Sequence, residues 1–138
     1  MLGVLELGAI IVTVLIVIRA ATGVAGIARI QGRIYGLSWP VGFASLFAIE
    51  AALARHGASD EVMGVISAAG PILVTAVIYL VAAALWMEWS MFALGTWLAF
   101  VAAAGAWTGP ATVLLVEAVA GGGGFLVAAA VVARWRRR

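Results

Sequence analysis

Long apolar runs separated by short polar breaks dominate this chain. A helix needs about 20 residues to cross roughly 30 Å of hydrocarbon, with a usual range of about 17 to 25. Five runs meet that length: 2–18, 37–54, 62–86, 91–107 and 111–133. The pattern predicts an all-α, polytopic transmembrane helical bundle of five spans forming one domain over residues 1–138. Glu6 and Glu50 interrupt the first two runs, Gly70-Pro71 lies inside the third, and Thr108-Gly109-Pro110 separates the fourth from the fifth.

Charge gives the bundle a direction. With five crossings, the segment 19–36, which carries Arg19, Arg29 and Arg33, falls on the same side as the tail 134–138, Arg-Trp-Arg-Arg-Arg. Seven of the eight arginines then share one face. Arginine excess in short loops marks the cytoplasmic side, so the N-terminus is expected outside and the C-terminus inside. Four spans with one run re-entrant would split the two basic clusters between opposite faces, which favours five. Trp86, Trp89 and Trp135 fall at the expected cytoplasmic interface and Trp107 at the outer one, in the manner of an aromatic belt.

Residues 19–36 are too polar and glycine-rich to read as a span. They are expected along the cytoplasmic surface, with Val24, Ile27, Ile30 and Ile34 toward lipid. Arg29 and Arg33, four apart and so on one face of a helix, would contact lipid phosphates, as would Arg136 in the tail. The competing expectation is an irregular loop that only fixes topology.

Composition agrees with this pattern and narrows the function. Hydrophobic residues make up 66% of the 138, charged residues 10%, and mean hydropathy is +1.20, values suited to a bilayer solvent. All basic residues are arginine, and alanine, valine and glycine abound, as in proteins of GC-rich bacteria; the expected location is the bacterial inner membrane. The first run lacks a basic leader and is read as retained. With no cysteine, the chain by itself has no thiolate metal site or disulfide, and His56 is its only histidine. No cofactor, metal site or nucleic-acid partner is expected.

Helices in lipid associate through small residues and a few hydrogen bonds. Candidate packing faces are Ala44, Ala48 and Ala52 in the second span; Gly64, Ala68, Pro71, Thr75 and Tyr79 in the third; and Gly95, Ala99, Ala102 and Ala106 in the fourth. In the fifth span Gly121-Gly122-Gly123-Gly124 lies within apolar sequence, and at α-helical spacing Gly121, Gly124 and Ala128 share a face with Glu117. Thr75, Tyr79, Gly121 and Gly124 are therefore candidates for lining a pore or supporting its packing.

Ionisable side chains inside a span cost on the order of 3 kcal/mol near the bilayer centre, so each invites a reason. In the expected topology Glu6, Glu50 and Glu117 all lie about 6 to 9 Å below the outer boundary, at 1.5 Å rise per residue. One reading has them converging on a hydrated cavity as proton or cation sites, with Thr13, Thr75 and Tyr79 adding hydroxyls. The other has each reaching headgroup water or Arg55.

His56, with Arg55, Asp60 and Glu61 in the outer loop, reads as a solvated residue rather than a sensor, and Glu88 as a partner for an arginine. The glycine run lacks the preceding strand and following Lys-Ser/Thr of a phosphate loop, and no HExxH or nucleophile–histidine pair is present, so no enzyme is expected. A faint inverted likeness relates Trp39-Pro40 with Glu50 to Trp107 and Pro110 with Glu117, at unequal spacings of ten and seven between proline and glutamate.

The leading expectation is a small transport protein or channel, oligomeric since five helices enclose little room, linked to protons or cations through Glu50, Glu117 and Glu6. The alternative is a non-catalytic accessory or assembly subunit of a larger membrane complex. A lipid-binding protein with a lateral groove comes third.

Overall fold

The structure, a computed structural model, describes residues 26–135. The expected span 2–18, with Glu6 and Thr13, and the residues Arg19 and Arg136 lie outside the described residues. Five helices are described: α1 (Ile27–Arg55), α2 (Asp60–Trp86), α3 (Trp89–Thr108), α4 (Pro110–Val116) and α5 (Gly122–Trp135). A π-helical turn, Glu117–Gly121, joins α4 to α5. Among the described residues four stretches are long and apolar enough to cross a membrane: α1, α2, α3, and Thr112–Ala130 across the π turn.

Internal packing divides the chain into residues 1–37 and 38–138. The described part of the first unit is the opening of α1, where Ile27, Ile30, Ile34 and Leu37 are exposed, as are Arg29 and Arg33. This corrects the expected boundary: residues 27–36 are helical and run without a break into the span expected to start at Leu37. Arg29, Gly32, Arg33 and Gly36 mark this part as polar, yet once a helix exists each further residue adds a backbone hydrogen bond whatever its side chain. In the sequence of α1, Arg33 and Arg55 bracket its apolar part.

The connections are short and chemically explicit. After Arg55, Gly57 adopts φ 76°, the Ala58 amide donates to the Leu53 carbonyl (3.0 Å) and the Gly57 amide to that of Ala54 (3.2 Å). These bonds satisfy carbonyls that the end of α1 would leave without donors, the usual role of a left-handed glycine there. Ser59 then caps α2: its hydroxyl accepts from the Val62 amide at 3.4 Å, and Asp60 and Glu61 put negative charge beside the positive end of the helix dipole. At the other end of α2, Met87 takes the left-handed position (φ 54°), and the Glu88 amide donates to the Ala83 carbonyl at 3.1 Å. Gly109, at φ 82° and ψ 166°, breaks α3 from α4, and Pro110 opens α4, where its missing N–H costs nothing.

Within residues 38–138 the helices run up and down in sequence. Gly42 of α1 faces Val74 and Ile78 of α2, and one turn further on Leu46 fits against Gly70. Gly95 of α3 lies against Leu80 and the Ala76 carbonyl of α2. Ala69, Ala76, Ile78, Ala82 and Ala83 of α2 and Leu98, Val101 and Ala102 of α3 are buried. The expected stripes shift accordingly. Ala44, Ala48 and Ala52 are exposed, and Gly64, Ala68, Pro71, Thr75 and Tyr79 are only half-buried. The contacts pair a large side chain with a small one, Leu46 on Gly70 and Val74 on Gly42, because a glycine opposite a branched side chain fills space that glycine opposite alanine would leave empty.

Candidate functional site

Gly42, Leu46 and Glu50 follow one another at four-residue steps and so share one face of α1. Because Gly42 and Leu46 are the residues that meet α2, Glu50 stands on the packed side of the helix, one turn toward Arg55, and is half-buried. It is about 7.5 Å along the helix from Arg55. A carboxylate placed here has protein on one side, where a lipid-facing position would have hydrocarbon.

Glu117 begins the π turn. Seven residues after Pro110, it is about 10 Å from the start of α4 by α-helical rise. Since α1, α2, α3 and α4 alternate in direction through short connections, positions 50 and 117 lie toward the same end of the bundle, the end holding the Arg55–Asp60 and Thr108–Pro110 connections. These are the two carboxylate positions of the expected three that the described fold places; Glu6 lies outside the described residues.

The π turn also changes the expected geometry of the glycine run. It accommodates one more residue than an α turn in the same length, so residues before and after it are out of step with a continuous 3.6-residue period. Gly121, Gly124 and Glu117 therefore do not keep the common face that α-helical spacing predicts. Gly121 is buried and Gly124 half-buried.

Trp97, in the middle of α3, reaches this segment: its indole Nε1–H donates to the Ala120 carbonyl at 3.0 Å. Gly124 makes room for the ring, since a Cβ there would stand 2.5 Å from Trp97 Nε1 and 2.6 Å from Cδ1. Sequence reasoning does not single out Trp97. The available signal is a mid-span indole N–H, which needs an acceptor that lipid cannot provide.

Of the other candidates, Thr75 donates its hydroxyl to the Pro71 carbonyl of its own helix at 2.8 Å. Tyr79 is half-buried, with its ring edge-on to Phe125 of α5 at a centroid distance of 6.0 Å. The Glu88 carboxylate accepts from the Ser90 hydroxyl at 2.8 Å. His56 is exposed in the α1–α2 turn. The inverted likeness has no counterpart in the backbone, for Pro40 lies inside α1 whereas Pro110 opens α4. Trp86 and Trp89 are exposed at one end of the α2–α3 hairpin and Trp107 at the far end of α3.

The fold is thus that of a multi-pass helical membrane protein, with Glu50 and Glu117 inside two of its four long apolar stretches. No protein-family model, curated protein or solved structure matches the chain.

Proposed function

We propose that this chain is a small bacterial inner-membrane transport protein or channel that moves protons or another cation past Glu50 and Glu117, with Glu6 contributing. Its role for each carboxylate is reversible protonation or cation coordination. The observation that supports this reading is the place of Glu50 on the packed face of α1, in line with Gly42 and Leu46, where an ionisable group serves no need of helix packing. In the same reading the segment 2–18 is a fifth crossing, the N-terminus is outside, and Arg29, Arg33 and Arg136 lie on the cytoplasmic side with lipid phosphates. Reconstituted in vesicles, the protein should conduct, and Glu50→Gln and Glu117→Gln should each abolish the flux. Unchanged flux in both variants removes the proposal.

The exposed stripe Ala44, Ala48 and Ala52 favours a second reading, an accessory or assembly subunit of a larger membrane complex. Small residues in lipid are where another helix approaches closely. This reading expects no flux from the purified chain and copurification with other subunits in mild detergent.

A further inference from the structure

We infer that Trp97 is a positioning residue: its hydrogen bond to the Ala120 carbonyl holds the Glu117–Gly121 turn in the π register and so fixes the angular position of residue 117 within the bundle. The inference rests on the proposed role of Glu117 for its functional meaning, and on three independent features for its geometry.

The first is the turn itself. A π turn is an uncommon, wide form of helix, stable only where its surroundings favour it over the α form. The second is the indole. Trp97 comes from a different helix and donates to a backbone carbonyl inside the turn, at 3.0 Å. In hydrocarbon neither the indole N–H nor the carbonyl has water as an alternative partner, so the bond weighs more heavily than it would in water. The third is Gly124, whose missing side chain leaves the space that the indole occupies. Around these, Gly121 to Gly124 have no side chains of their own to repack when the backbone changes register.

Conversion of the turn to an α-helix has a defined result. With α5 held in place, every residue before the turn rotates by about 100° and retreats by about 1.5 Å, one residue of α-helix. Each residue then takes the place of its predecessor. Leu114, now 66% exposed, moves into the site of Val113, now fully buried, and residue 117 moves to that of Val116. Position 117 therefore has two possible places around the helix axis, and the Trp97 bond selects the one of the π register.

The test uses nitroxide labels on single cysteines in the full-length protein in lipid vesicles; the natural chain has no cysteine to interfere. Labels go at Leu114, before the turn, and at Leu126, after it and 74% exposed. Oxygen, which concentrates in hydrocarbon, reports exposure to lipid. Trp97→Phe keeps the ring and removes the donor, and Gly124→Ala displaces the ring and keeps the donor. Both variants should lower oxygen access at position 114 and leave position 126 unchanged, a pattern that general unfolding would not give. Oxygen access at 114 that equals the parent value in both variants overturns the inference, whatever the flux. A shift at 114 supports it, and a shift accompanied by unchanged flux keeps the positioning role and instead removes Glu117 from transport.

Discussion

Gly95 of α3 and Ala76 of α2 bring two helix backbones together: a Cβ at Gly95 would stand 3.0 Å from the Ala76 carbonyl oxygen, 3.0 Å from the Leu80 amide nitrogen and 2.9 Å from Leu80 Cγ. Ala76 is itself fully buried. The α2–α3 hairpin thus owes its closeness to one absent methyl group, and two of the three opposing atoms are backbone that does not rotate away.

Gly95→Ala should accordingly destabilise the protein by about 1–3 kcal/mol, the usual range for overpacking a tight contact. Gly123→Ala is the control, because nothing lies within 4 Å of a Cβ there. It should be neutral or stabilising by up to about 1 kcal/mol through helix propensity. Unfolding in mixed micelles with increasing denaturing detergent measures both, and equal losses would contradict the contact.

Gly109 adopts φ 82° with ψ 166°, a region open essentially to glycine alone. Gly109→Ala should cost about 1–3 kcal/mol of strain although no neighbouring atom obstructs a Cβ. The same unfolding assay checks it; a loss below a few tenths of a kcal/mol would mean that the α3–α4 break takes another shape.

Met87 ends α2 in the left-handed conformation at φ 54°, a position where side-chain-bearing residues are disfavoured by about 1–2 kcal/mol. Met87→Gly should raise stability by about 1 kcal/mol, less than the full strain because glycine also gains freedom in the unfolded chain. A lowered unfolding midpoint would show that the exposed Met87 side chain contributes more than its backbone strain removes.

Thr75→Val removes the hydroxyl bonded to the Pro71 carbonyl while keeping the shape of the side chain. Hydrogen bonds between helices in membrane proteins average about 0.6 kcal/mol, and this bond back to its own helix should contribute no more than that. Because the Thr75 hydroxyl is directed at its own helix, flux in vesicles should stay at the parent level; loss of flux with intact stability would return Thr75 to the conducting path.

Much of the helical layout is legible in the residues. The apolar runs locate α2, α3 and the last span to within two or three residues, since a bilayer demands both length and continuity. Gly57, Ser59 and Gly109-Pro110 punctuate them with recognisable chemistry. The start of α1 at Ile27 is not legible from hydropathy, because backbone hydrogen bonding continues a helix through Arg29 and Arg33 whatever their side chains. Packing faces are half legible: Gly95 and Ala102 are buried as small residues should be, but α1 meets α2 through Gly42 and Leu46 and leaves Ala44, Ala48 and Ala52 open.

The candidate site is the least legible part. Glu50 and Glu117 stand out as charges in apolar runs, whereas the π turn has no residue signature and depends on what the neighbouring helix supplies. Trp97 and Gly124 are separated by 27 positions, and nothing local to either announces that one accommodates the other.

The brevity of the connections has a consequence for how this protein meets its surroundings. Between Ile27 and Trp135 the links between spans are four residues, 56–59, then two, 87–88, then one, Gly109. Such links are too short to fold into a loop structure of their own. Among the described residues a partner would therefore meet the sides and ends of helices rather than loops.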